Sequence, residues 1–122
     1  MSKTVLLIED EPNIIEAISF LLSRDGWSVH THSNGLTALD AVAERQPDLI
    51  VLDVMLPGRS GYEILKDIRR ARDTEQTPVL MLTARGQMKD RELALEAGAN
   101  TFMTKPFANA EMLDAVRALA GA

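Results

Sequence analysis

The chain has 122 residues, 46% of them hydrophobic and 25% charged, the make-up of one ordinary globular domain with a single core. The absence of cysteine excludes disulfides, thiolate metal sites and cysteine nucleophiles, and fits a reducing cytosol. A net charge of −5 argues against direct binding to nucleic acid or to an anionic membrane, and no apolar run has the length of a signal-peptide core or a membrane span.

Thr4 to Glu9 (TVLLIE) is a short apolar run that ends at two acids, Glu9 and Asp10, and it reads as a first strand. Pro12 suits the first turn of a helix, in which Ile14, Ala17, Ile18, Leu21 and Leu22 recur at helical spacing until Gly26. Trp27 to Thr31 reads as a second strand anchored by its tryptophan. Asn34 is a candidate cap for a helix through Leu36, Leu39, Val42 and Ala43 that Pro47 ends. His30 and His32 have no third ligand nearby and read as surface residues.

Leu49 to Leu52 is an apolar run of the kind found in strands buried on both faces, and it delivers Asp53 to its C-terminal end, ahead of a Pro57-Gly58 turn. Ser60 and Glu63 form a capping-box pattern before a helix carrying Ile64, Leu65 and Ile68, expected to run to about Arg72. Its charged end, DIRRARD, reads as a solvated face. Pro78 to Thr83 is a fourth strand that ends in a hydroxyl. Met88 to Ala97 reads as a helix with Leu93, Ala94 and Ala97 inward and Gly98 as its stop, and with few large apolar groups it is expected to dock most weakly. A fifth strand, Asn100 to Thr104, leads to Lys105-Pro106, and Ala110 to Ala120 closes the chain as a helix through Leu113, Val116 and Leu119.

Strands alternating with helices imply a parallel sheet covered on both faces, and right-handed crossovers bring every strand's C-terminal end to one edge. That edge collects Glu9, Asp10, Asp53, Thr83 and Lys105. Glu9, Asp10 and Asp53 repel one another unless a cation sits among them, and a set of hard oxygen ligands points to Mg2+, with the backbone carbonyl of Met55 as a further donor. A carboxylate beside Mg2+ can attack phosphorus and form an aspartyl phosphate. Lys105 and Thr83 would then supply an ammonium and a hydroxyl to the phosphoryl oxygens.

Glu9-Asp10, Asp53, Thr83-Ala84 and Lys105-Pro106-Phe107, each after its own strand, together resemble the receiver domain of two-component response regulators over essentially the whole chain. The resemblance implies a doubly wound, five-stranded parallel α/β sheet of flavodoxin-like type in the order 2-1-3-4-5. It implies that Asp53 accepts a phosphoryl group from a sensor histidine kinase or a histidine phosphotransfer protein, that Glu9 and Asp10 hold Mg2+, and that Lys105 bridges to the phosphoryl group before a cis peptide at Pro106. Thr83 and Phe102 would be the switch residues, acting through the fourth helix, fifth strand and fifth helix on a downstream protein. Met55 and Arg85 would influence the lifetime of the phosphoryl group.

Three positions depart from the common pattern. Glu9 stands where Asp is the more frequent first acid, Phe102 lacks the hydroxyl of the frequent Tyr, and Asn100-Thr101 replaces a pair of aspartates often found in dimerising receivers. Homodimerisation is therefore left open and not predicted. The reading over residues 1–122 is a receiver with no output domain, cytoplasmic, and a switch without enzymatic turnover. The alternatives are an aspartyl-nucleophile phosphohydrolase, weakened because Met55 stands where such enzymes carry a second acid, and an interaction module independent of phosphorylation.

Overall fold

The computed structural model describes residues 3–84 and 88–121; Arg85 lies outside the described residues. The strands are β1 (Thr4–Ile8), β2 (Ser28–His32), β3 (Leu49–Asp53), β4 (Val79–Thr83) and β5 (Thr101–Thr104). The helices are α1 (Pro12–Arg24), α2 (Ala38–Arg45), α3 (Gly61–Arg70), α4 (Met88–Ala97) and α5 (Asn109–Gly121). All neighbouring strands pair parallel in the order β2-β1-β3-β4-β5, the predicted doubly wound topology.

Because side chains alternate along a strand, each strand feeds both faces of the sheet. Leu6, Ile8, Ile50, Leu52, Val79 and Met81 pack with Ala38 and Val42 of α2, Ile64, Leu65 and Ile68 of α3, and Ala94 and Ala97 of α4. Val5, Leu7, Leu49, Val51, Leu80 and Leu82 pack on the other face with Ile18 and Leu22 of α1 and Met112 and Val116 of α5. Trp27 lies at the margin of this second core. Burial on both faces is why β1, β3 and β4 read as continuous apolar runs.

The register sets the edge that carries the acids and the lysine. Ile8 pairs with Leu52, Asp53 with Leu82, and Thr83 with Thr104, so these strands end nearly level. The amide of Glu9 donates to the His32 carbonyl at 3.0 Å, that of Val54 to Leu82 at 3.0 Å, and that of Lys105 to Thr83 at 2.7 Å. Ladder bonds thus continue one residue beyond the strands and hold the loops that carry the acids and the lysine.

Several local expectations change. Asn34 caps a short 3-10 turn over Gly35–Thr37 through the Leu36 amide at 2.8 Å, and α2 begins only at Ala38. That turn leaves Leu36 outside the helix and 70% exposed, while Ala38 and Val42, one turn apart, form the buried face and Ala43 points out. Ala17 of α1 is likewise exposed. Helix α3 ends at Arg70, two residues short of the expected Arg72, where the Thr74 hydroxyl donates to the Ile68 carbonyl at 2.7 Å and turns the chain away. On α4 the inner face is Ala94 and Ala97, and Leu93 is exposed along with Leu95; small residues set this helix close to the sheet but bury little area, in keeping with weak docking.

Arg69 also departs from the solvated face read for its segment. Its guanidinium is half-buried and donates to the carbonyls of Gly98 at 2.9 Å, Thr77 at 2.7 Å, and Thr74 and Glu75 at 3.3 Å, and to Asn100 Oδ1 at 2.8 Å. Asn100 Oδ1 also accepts from the Val79 amide at 2.9 Å. One planar fork therefore ties the ends of α3 and α4 to the starts of β4 and β5.

Candidate functional site

Asp53 ends the central strand β3 and is 1% exposed. Its backbone is clamped from the far side by α3, whose first amide, Gly61 N–H, donates to the Val54 carbonyl at 2.9 Å. A Cβ at Gly61 would lie 2.2 Å from the Asp53 carbonyl oxygen, so only glycine permits this approach. Ser60 caps α3 by accepting from the Glu63 amide at 3.3 Å, as its spacing predicts.

Glu9 is fully buried, and one of its oxygens accepts from the amides of Asp10 and Glu11, each at 3.0 Å. Its other oxygen accepts from Lys105 Nζ at 3.1 Å. Lys105 Nζ also lies 3.3 Å from Asp53 Oδ1 and 3.5 Å from Glu11 Oε1. The Lys105–Pro106 peptide bond is cis. Asp10 is exposed at the mouth of the cleft. Thr83 is buried at the end of β4, and Phe102 of β5 is half-buried with the Arg91 guanidinium of α4 over its ring, 5.6 Å from the centroid.

The electrostatics follow from this crowding. Burial, and then the charge of Glu9, push the Asp53 carboxyl up to about 7 despite the nearby ammonium. For Lys105, burial disfavours the charge, but Asp53 and Glu9 outweigh it and hold the ammonium above the ordinary lysine value. The site carries more negative charge than its one lysine neutralises.

A divalent cation fits this surplus. Glu9, Asp10 and Asp53 offer carboxylate oxygens within 4.8 Å of one another, and Asp53 Oδ1 is buried without accepting a hydrogen bond among the described residues. All-oxygen donors with little room for more protein ligands suit a hard ion that retains water. His30 and His32 take no part in this cluster; His32 Nε2 sits 2.7 Å from the Thr37 hydroxyl.

The residues expected at one edge are thus brought together. What the sequence reading missed is Glu11, which reaches Lys105 from the residue before α1, and Arg91, which covers Phe102. The signal for Glu11 was available: it is a third consecutive acid immediately before the helix-starting Pro12.

Comparison with known proteins agrees with the fold. The chain belongs to the response regulator receiver domain family, whose model matches residues 5–117. Among solved structures it is similar to a protein assigned as a response regulator from Chloroflexus aurantiacus, at 32% identity and a TM-score of 0.96 over 100% of both chains. The receiver domain of a sensor histidine kinase from Pseudomonas aeruginosa, with a magnesium ion coordinated in its active-site cleft, matches at 30% identity and 0.91 over 100% of both chains. The BeF3-activated N-terminal receiver domain of a Klebsiella pneumoniae protein matches at 28% identity and 0.90, over 98% of this chain and 99% of that one. The protein is therefore a receiver of two-component signalling, a class to which phosphorylation-dependent switching belongs. Among the described residues no helix is long and apolar enough to cross a membrane.

Proposed function

We propose that the protein is a cytoplasmic signalling switch that accepts a phosphoryl group on Asp53 from a phosphohistidine of a sensor histidine kinase or histidine phosphotransfer protein. The observation that carries this reading is the state of Asp53: a buried carboxylate at the end of the central strand, with one oxygen that accepts no hydrogen bond among the described residues and a lysine ammonium 3.3 Å away. Such a group is poised as a nucleophile rather than satisfied as a structural acid.

In the transfer, an Asp53 oxygen attacks phosphorus and the P–N bond of the donor breaks. The imidazole leaves as the neutral base with the bonding electron pair, its other nitrogen having carried the proton. Lys105 pairs with the phosphoryl oxygens, and the Thr83 hydroxyl approaches one of them. Glu9, Asp10 and Asp53, with the backbone carbonyl of Met55, would hold Mg2+, which when bound neutralises charge on those oxygens. The magnesium-bound Pseudomonas aeruginosa receiver supports that choice of ion.

Movement of Thr83 toward the phosphoryl group vacates space beside Phe102, whose ring then turns inward and alters the α4, β5 and α5 face offered to a downstream protein. With no hydroxyl on Phe102, the polar partner that changes is the Arg91 guanidinium above its ring. The protein acts once per phosphorylation and not as a phosphohydrolase, because Met55, 71% exposed, brings no second acid to the site.

Acetyl phosphate with Mg2+ is expected to add one phosphoryl group to the protein by intact-mass spectrometry, and none to Asp53→Asn. An unmodified parent protein overturns the reading, as does steady release of phosphate from varied phosphoesters.

A further inference from the structure

Glu11 occupies the N-cap position of α1 in extended backbone, with φ −80° and ψ 117°, yet its side chain makes no capping bond. Short Ser, Thr, Asp and Asn side chains serve that position, because their oxygens reach back to the first amides; the longer Glu is not among the favoured caps. Its carboxylate instead extends toward the active edge, where Oε1 accepts from Lys105 Nζ at 3.5 Å.

We propose that Glu11 is a positioning residue for Lys105: it holds the ammonium at the mouth of the site and is the partner exchanged for the incoming phosphoryl oxygen. This inference rests on the phosphoacceptor reading of Asp53 and extends it to a residue outside the acid, threonine and lysine set.

An ammonium has three N–H donors and no more. Lys105 spends hydrogen bonds on Glu9 at 3.1 Å and on Glu11 at 3.5 Å, while Asp53 Oδ1, 3.3 Å away, receives none among the described residues. Lys105 Nζ thus sits among three carboxylates, of which Glu11 is the farthest. One N–H remains for a phosphoryl group on Asp53, and any movement of Nζ toward that group stretches its pairs with the glutamates. Glu9 is fully buried and its second oxygen is pinned by two backbone amides, so that carboxylate stays. The Glu11 side chain is 61% exposed and makes the longest of the three approaches. It returns to water at little cost, since a pair with an exposed partner is weak.

Glu11→Gln is therefore expected to raise the rate of phosphorylation by acetyl phosphate with Mg2+ about two- to fivefold, the range that loss of one exposed ion pair corresponds to. In a Lys105→Ala background the same substitution is expected to leave the rate unchanged. Glu63→Gln removes an equal charge at the rim of the same cleft, where Glu63 faces Arg59 at 3.6 Å, and is expected to give no acceleration. Equal acceleration by Glu63→Gln, or persistence of the Glu11 effect without Lys105, overturns the proposal in favour of a general charge effect on an anionic donor.

A second measurement does not depend on phosphorylation. The 15N signal of the Lys105 ammonium in the unphosphorylated protein is expected to shift and to show faster reorientation in Glu11→Gln and not in Glu63→Gln; an unchanged signal overturns the proposal. If the parent protein takes up no phosphoryl group, the functional reading of Asp53 fails, while the ammonium signal still decides whether Glu11 holds Lys105.

Discussion

Replacing Asp53 by Asn removes the proposed function and is expected to make the metal-free protein more stable. The native carboxyl titrates near 7 instead of the ordinary 3.8, so between those values the folded protein binds more protons than the unfolded chain. Stability therefore falls as pH rises through about 4 to 7 and levels off above 8. At about 1.4 kcal/mol per tenfold change in proton affinity, the ionised carboxylate costs the fold about 4 kcal/mol at pH 8. The amide, close to the same shape and without charge, is expected to recover about 2 to 4 kcal/mol of this, or roughly 10 °C in Tm for a domain of this size. Urea denaturation in EDTA at pH 8 and pH 5 measures it: the variant should lead clearly at pH 8, and the gap should narrow at pH 5, where the parent carboxyl is protonated. Adding Mg2+ should stabilise the parent more than the variant, because an ion bound only by the folded state adds its binding free energy to folding. Equal stabilities at pH 8 in EDTA, or a less stable variant, would refute the claim that Asp53 is a buried charge in surplus.

Lys105→Ala is expected to retain Mg2+ binding in a calorimetric titration but to slow phosphorylation, and to raise the Asp53 carboxyl above its parent value in a 13C-detected pH titration, since the cation that lowers it is gone. Gly61→Ala places a methyl 2.2 Å from the Asp53 carbonyl oxygen and is expected to cost more than about 2 kcal/mol in urea denaturation, as overpacking against backbone does. Arg69→Ala leaves the Gly98 and Thr77 carbonyls without the Arg69 donor and Asn100 Oδ1 with the Val79 amide; a loss of about 3 kcal/mol is expected, with amide exchange accelerated first at the C-terminal end of α4.

The parallel sheet and the identity of the acids were legible because both rest on strong local signals, whereas the strand order followed from the resemblance to receiver domains. A strand buried on both faces must be apolar throughout, so an acid at its end stands out, as Asp53 does after Leu52. Helix faces were legible where large apolar residues set them, as in α3, and misread where they did not. In α4 the expected inward Leu93 is exposed, since alanines 94 and 97 allow the closer approach. Leu36 was misplaced because spacing alone does not distinguish a first α-helical turn from a 3-10 turn that precedes the helix.

Arg69 shows a further limit. In the sequence it is one of a run of charges; in the fold it reaches a backbone corner built from residues up to 31 positions away, which no local pattern encodes. Glu11 is similar, since its partner Lys105 is 94 residues distant.

What the sequence alone determined is therefore which chemical groups stand at the strand ends: the acids 9, 10 and 53, the hydroxyl at 83 and the ammonium at 105. Hydrophobic periodicity defines the strands, and the strands place whatever follows them. The tertiary structure decided how those groups share their charge. Only the close approach of three loops, tightened by Gly61 against Asp53 and by the level ends of β1, β3 and β4, sets three carboxylates around one lysine. Desolvation and distance, neither of which is written in local order, then raise the Asp53 carboxyl far above an ordinary acid and hold the Lys105 ammonium beside it.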